Sequence, residues 1–171
     1  TAATYGPYGL TPTCPFMSSP THSSPANNRF NVRTYGLWLQ FDRLLVSDEI
    51  VQGDRITKFP GGGVDPGEGP LDTLKREWRE ELGLSLRQYR HFYTTEFFQP
   101  SFYRGGEQLL AIYYLADSSG EAPAQALHQA PDEDIQGFRW IPLHELTPES
   151  VTLPVDQLVV EKLLRERPNW P

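Results

Sequence analysis

Apolar residues recur along this chain in two rhythms, and the rhythm changes where the turn residues fall. Segments 32–40 and 43–51 are rich in aromatic, aliphatic and β-branched residues and flank Phe41-Asp42, which predicts two paired strands. Segment 57–59 then leads into Gly61-Gly62-Gly63. Beyond the glycines the spacing switches: Leu71, Leu74, Trp78 and Leu82 recur every three or four positions, one apolar stripe of a helix. Gly69-Pro70 marks its start, because proline in the first turn lacks only an N–H that would be unpaired there, and Gly83 supplies the stop. Strand patterns return at 89–98 and 108–116, joined by 99–107 with Pro100 and Gly105-Gly106, and again at 137–141. Segment 155–167 closes the series as an amphipathic helix with Leu158, Val159, Lys162 and Leu163 at helical spacing. Strands alternating with helices predict an α/β domain, a mixed sheet with helices on both faces.

The opposite side of the first helix carries the chemistry. Glu77, Glu80 and Glu81 stand at i, i+3 and i+4, so three carboxylates project close together. Like charges at that spacing repel by roughly 0.2–0.5 kcal/mol per pair, and the cluster therefore favours a cation. Hard oxygen ligands suit Mg2+. A solvated face on which Arg76 pairs with Glu80, and Lys75 and Arg79 neutralise the rest, would explain an arbitrary helix of this composition. Gly62 and Glu68, at fixed distances upstream, favour a metal site instead.

Gly62, Glu68, Arg76-Glu77, Glu80-Glu81 and Gly83-Leu84 together follow the pattern G-x5-E-x7-R-E-U-x-E-E-x-G-U, with U a bulky aliphatic. This constellation resembles the Nudix box of the Nudix hydrolases, and the chain looks like a bacterial subgroup of that family; only Trp78 departs, standing where an aliphatic residue is usual. The resemblance implies an α/β/α sandwich over 29–167 and a Mg2+-dependent pyrophosphohydrolase, with Mn2+ as the alternative ion. It implies that Glu77, Glu80, Glu81 and the Gly61 carbonyl bind metal, and that Arg76 orients the carboxylates through Glu68 or Glu80. The proton acceptor varies within the family, either a box glutamate such as Glu80 or an acid on a later loop, for which Asp134 is the candidate. Substrate contacts are expected from Phe59, Gly62, Gly63 and Tyr103, where glycines admit a diphosphate close to the backbone. Phe97, Phe98 and Phe102 offer further faces on which a base could stack. Homodimers are common on this fold.

Composition narrows the reading. At 171 residues the chain suits one domain, assigned to 29–171. A net charge of −7 and a pI near 5.1 argue against a primary nucleic-acid binder, and they do not exclude the small phosphorylated nucleotide that the resemblance implies, because the cations would carry the attraction. Cys14 is the only cysteine, which excludes intrachain disulfides and cysteine-based zinc sites and fits a reducing cytoplasm. No apolar run is long enough to span a bilayer. Residues 1–28 contain no Lys, Arg, Asp or Glu and carry Pro7, Pro12, Pro15, Pro20 and Pro25, which predicts a flexible arm, with translation expected to start at or near Met17.

Three functions share this fold. A hydrolase of a nucleoside diphosphate linked to another moiety leads, such as a nucleotide sugar, an ADP-ribose-like compound or a nucleoside triphosphate. A non-hydrolytic nucleotide or sugar-nucleotide sensor is the alternative, disfavoured by the intact set of glutamates. An isomerase of the isopentenyl-diphosphate type would need a cysteine in its active site, and Cys14 lies in the arm.

Overall fold

The computed structural model describes residues 29–51, 53–102, 105–120 and 136–166. The proposed arm 1–28, together with Tyr103 and Asp134, lies outside the described residues. Among the described residues the order is β1 (Arg29–Leu37), β2 (Leu39–Gln40), β3 (Arg43–Val51), β4 (Asp54–Lys58), β5 (Gly61–Gly63), α1 (Pro70–Leu82), β6 (Leu86–Thr94), β7 (Glu107–Ser118), β8 (Gln136–Pro142) and α2 (Pro154–Glu166).

The strands form two four-stranded sheets. In the first, β1 lies between β5, to which it is antiparallel, and β7, to which it is parallel; β6 completes the sheet as an antiparallel neighbour of β7. That sheet is mixed. In the second, β8 runs along one side of β3 while β2 and β4 share the other, all antiparallel.

The predicted hairpin of 32–40 with 43–51 is therefore much shorter than its hydrophobic pattern implied. Only Leu39 and Gln40 pair with Leu44 and Arg43, around a turn in which Phe41 and Asp42 adopt positive φ. The strand breaks at Trp38, whose carbonyl still accepts a bond from the Leu45 amide. Packing forces the break. Trp38 is fully buried, its ring touches Trp78 and Trp140, and its indole N–H bonds to Asp117 in β7. Residues upstream of it belong to the first sheet and residues downstream to the second.

Alternation along the strands divides the interior into two cores. Tyr35, Leu37, Tyr113 and Leu115 face Val155, Val159, Val160 and Leu163 of α2. Trp38, Leu45 and Ala116 face Leu74, Trp78 and Leu82 of α1. The two helices thus cover opposite faces, an α/β/α sandwich. Trp78, the one departure from the box pattern, lies flat over Gly36 of β1: a Cβ there would stand 2.6 Å from the indole. A missing side chain in the strand makes room for the large one in the helix.

One buried polar contact runs through the α2 core. Tyr113 donates to Asp156 Oδ1 at 2.7 Å, whereas Asp156 Oδ2 has no hydrogen-bond partner. Burial pushes the Asp156 carboxyl up to about 7, against the smaller opposing effect of the Tyr113 hydroxyl and the charges of Lys58 and Arg33. Because the folded value lies above the unfolded one, its contribution to stability is present at acid pH and is lost as the pH rises through about 7. Asp156→Asn removes that titration. Urea unfolding should show the wild type losing roughly 2–3 kcal/mol relative to the variant between about pH 5 and pH 8; parallel curves for the two proteins would refute it.

Candidate active site

Three elements converge beneath the acidic face of α1. β5 is zipped to β1 through Arg33 opposite Gly63, Thr34 opposite Gly62 and Tyr35 opposite Gly61. Gly61 has φ +137°, and a Cβ there would stand 2.2 Å from the Thr34 carbonyl oxygen. At Gly62 a Cβ would stand 2.3 Å from a carboxylate oxygen of Glu77. Neither position has room for a side chain, and the helix carboxylates consequently rest on bare backbone. The Gly61 amide donates to Glu81 Oε2 at 2.9 Å.

Arg76 is the hub of the carboxylates. It grips Glu68 with two parallel bonds, Nε to Oε1 at 2.8 Å and a terminal nitrogen to Oε2 at 3.0 Å. Its other terminal nitrogen donates to Glu77 Oε1 at 2.8 Å and to Glu80 Oε2 at 3.0 Å, and the Gly63 carbonyl accepts a further bond at 3.2 Å. Thr73 also donates to Glu68. Those bonds, from Arg76 first and Thr73 second, hold the Glu68 carboxyl down at about 2, and the same carboxylates raise the Arg76 guanidinium above its ordinary value.

A second cation enters from the other side. Lys58, at the end of β4, is buried and donates to the Gly61 carbonyl at 3.0 Å; its ammonium lies 2.8 Å from Glu49 and 3.9 Å from Glu81. Burial lowers its basicity, but Glu81, Tyr35 and Glu49 together raise it above the usual lysine value, so it is charged. Lys58 and Glu49 also line a small cleft of about 60 Å3, together with Asn31, Arg33, Tyr35 and Phe102. Arg33 donates to the Tyr35 hydroxyl at 2.6 Å and stands over that ring.

The structure thus brings Gly61, Gly62, Gly63, Arg76, Glu77, Glu80 and Glu81 together. Glu80 is the most exposed of the three helix carboxylates, and Glu77 and Glu81 are mostly covered. Phe59, expected to touch substrate, is a correction: it has no exposed surface and packs edge-on against Tyr113 in the core. Lys58, Glu49 and Arg33 were missed. Their signal was a charged residue inside each strand pattern, at positions where a half-buried strand has an inward face.

The NUDIX domain family profile matches residues 31–162. The chain belongs to the Nudix hydrolase family. It is similar to the RNA pyrophosphohydrolases of Bartonella bacilliformis, 24% identical over 144 residues covering 78% of this chain and 84% of that protein, and of Bartonella clarridgeiae, 23% identical over 147 residues covering 78% and 82%. Among solved structures, the MutT NUDIX hydrolase from Burkholderia pseudomallei superposes with a TM-score of 0.64 at 22% identity, covering 80% of this chain and 99% of that one. A NUDIX hydrolase from Nitrosomonas europaea gives a TM-score of 0.62 at 21% identity, covering 78% and 88%. This Nudix hydrolase accordingly belongs to a class of enzymes that act on phosphoanhydride bonds and generally use divalent metal ions. No helix among its described residues is long and apolar enough to cross a membrane.

Its donor set fits a divalent ion in chemistry. Five glutamates, Glu49, Glu68, Glu77, Glu80 and Glu81, face three cations, Arg33, Lys58 and Arg76, which leaves an excess of negative charge on hard oxygen atoms. As the side chains stand, no three His, Cys, Asp or Glu residues among the described ones are gathered closely enough to hold an ion. The glutamates are turned to Arg76 and Lys58 instead.

Replacing the hub tests the electrostatic account. In Arg76→Met the Glu68 carboxyl, followed by carbon NMR, should titrate well above 2, toward the ordinary glutamate range near ~4.3. Since the wild-type value is depressed, the stability advantage of the wild type over the variant should shrink as the pH falls through the folded value. An unmoved Glu68 titration would refute the assignment.

Proposed function

We propose that the chain is a Mg2+-dependent pyrophosphohydrolase that opens the diphosphate bond of a nucleoside diphosphate linked to another moiety, releasing a nucleoside monophosphate and the other phosphate. The observation that carries this reading is the seating of Glu77 and Glu81 on the glycine backbone, next to a cleft lined by Arg33 and Lys58. The Gly61 carbonyl with Glu77, Glu80 and Glu81 would hold the metal. When bound, Mg2+ would screen the diphosphate charge and acidify a water.

The protein's own groups supply the rest. Arg76, itself anchored on Glu68, holds Glu77 and Glu80 on one side of the helix, from which both would turn to the metal. Arg33, tethered to the Tyr35 hydroxyl in the cleft, offers a guanidinium to a phosphate oxygen. Phe102 at the cleft wall presents an aromatic face to a base, and Asn31 offers an amide to its edge. Glu80, the most exposed of the three helix carboxylates, accepts the proton of the attacking water, with Asp134 as the alternative acceptor on the strength of the family resemblance. Tyr103, the remaining candidate for a substrate contact, rests on the resemblance alone. The single Cys14 suits a reducing cytoplasm, and assembly as a homodimer is proposed from the resemblance.

A panel of ADP-ribose, nucleotide sugars, dinucleoside polyphosphates, nucleoside triphosphates and RNA with a 5′-triphosphate end, assayed with and without Mg2+, tests the activity. The last substrate enters because two relatives are named RNA pyrophosphohydrolases. Metal-dependent release of monophosphate or diphosphate from one class would identify the substrate. Tight nucleotide binding with no cleavage would favour the sensor.

Glu81→Gln should cut turnover by about 100-fold or more with an unchanged circular dichroism spectrum, as loss of a group acting at the transition state implies. Full activity in that variant would remove Glu81 from the site.

A further inference from the structure

Lys58 occupies the place where the family resemblance puts a cation. Its ammonium contacts the Gly61 carbonyl at 3.0 Å and lies 3.9 Å from Glu81, two of the four groups assigned to metal. Glu49, which the resemblance does not place in the metal site, is closer still at 2.8 Å, and the Tyr35 ring lies 5.8 Å away. The backbone of Lys58 is fixed by pairing with Ser47 in β3. Only the four-carbon stem is free to move, and it ends at the cleft.

The two cations of the site differ in how firmly they are held. Arg76 is clamped by two parallel bonds to Glu68 and a third to the Gly63 carbonyl, so it stays where it is whatever Glu77 and Glu80 do. Lys58 is a compact point charge with single contacts to Gly61 and Glu49. A divalent ion on Gly61 and Glu81 would compete for the same oxygen atoms and repel the ammonium next to it.

We propose that Lys58 is a tethered counter-ion: in the metal-free protein its ammonium holds the place of the metal on Gly61 and Glu81, and metal binding drives it off the Gly61 carbonyl while it keeps its contact with Glu49. The inference rests on the metal site proposed above. Lys58 is a positioning residue in this scheme. It keeps the glycine carbonyl and Glu81 aligned between turnovers and sets metal affinity lower than the carboxylates alone would.

The test is Mn2+ binding, read from the free-ion electron paramagnetic resonance signal in the absence of substrate, for the wild type and Lys58→Met. The variant should bind Mn2+ at least tenfold more tightly, and a crystal structure of the wild type with Mn2+ should show the Lys58 ammonium away from the Gly61 carbonyl and still at Glu49. Equal or weaker binding by a folded variant, or an ammonium still on Gly61 beside bound Mn2+, would overturn the displacement while leaving the metal site in place. Should the variant not fold, the wild-type Mn2+ structure decides the matter alone. No Mn2+ binding by either protein would overturn the metal site and the displacement together.

Discussion

The site depends on one close approach, that of α1 to the glycine strand β5. Carboxylates reach the backbone of Gly61 and Gly62 only because no Cβ intervenes, and at both positions one would overlap existing atoms. β5 is itself hydrogen-bonded to β1, and β1 to β7, so the acidic face is referenced to the middle of the mixed sheet. The same device anchors the other side of the helix, where Trp78 lies over Gly36. Glycines on two adjacent strands thus bring the whole helix down onto the sheet, with its apolar stripe packed and Glu77 and Glu81 of its charged stripe resting on the glycine strand.

Bringing five glutamates to one place costs electrostatic free energy that the fold offsets with geometry as well as charge. Arg76 is planar and forked, and its position is set by two bonds to Glu68. Lys58 carries its charge at the tip of a flexible stem and reaches the glycine carbonyl three residues further along the chain from the end of β4. Arginine therefore serves as the fixed strut and lysine as the movable charge. Both faces of the sheet contribute: Arg33 and Tyr35 link the cleft to Tyr113, which stacks on Tyr35 and bonds to Asp156 at the start of α2.

Much of the local structure was legible. Leu74, Trp78 and Leu82 repeat at helical spacing and are buried together, while Gly69-Pro70 and Gly83 bound the helix, the latter with φ +69°. The box glutamates and Arg76 lie where that helix puts them, because positions i, i+3 and i+4 share a face whatever surrounds them. Less legible were the strands. A run of apolar residues from Val32 to Gln40 does not disclose that its first part pairs with β5 and β7 and its last two residues with β3. Phe59 shows the same limit, since an aromatic residue beside a glycine turn looks alike in sequence whether it faces substrate or core.

By itself, then, the sequence determined what acts over short separations: the helix, its ends, its acidic face and the glycines that leave room for it. Helical geometry repeats every few residues, so spacing alone carries that information. Tertiary structure decided which strands lie together and therefore which charges meet. Lys58 and Glu49 are nine residues apart on β4 and β3, Lys58 and Glu81 twenty-three, and Arg33 joins from β1. Their encounter follows from strand pairing and the burial of Trp38 between the sheets, long-range contacts that no local pattern encodes.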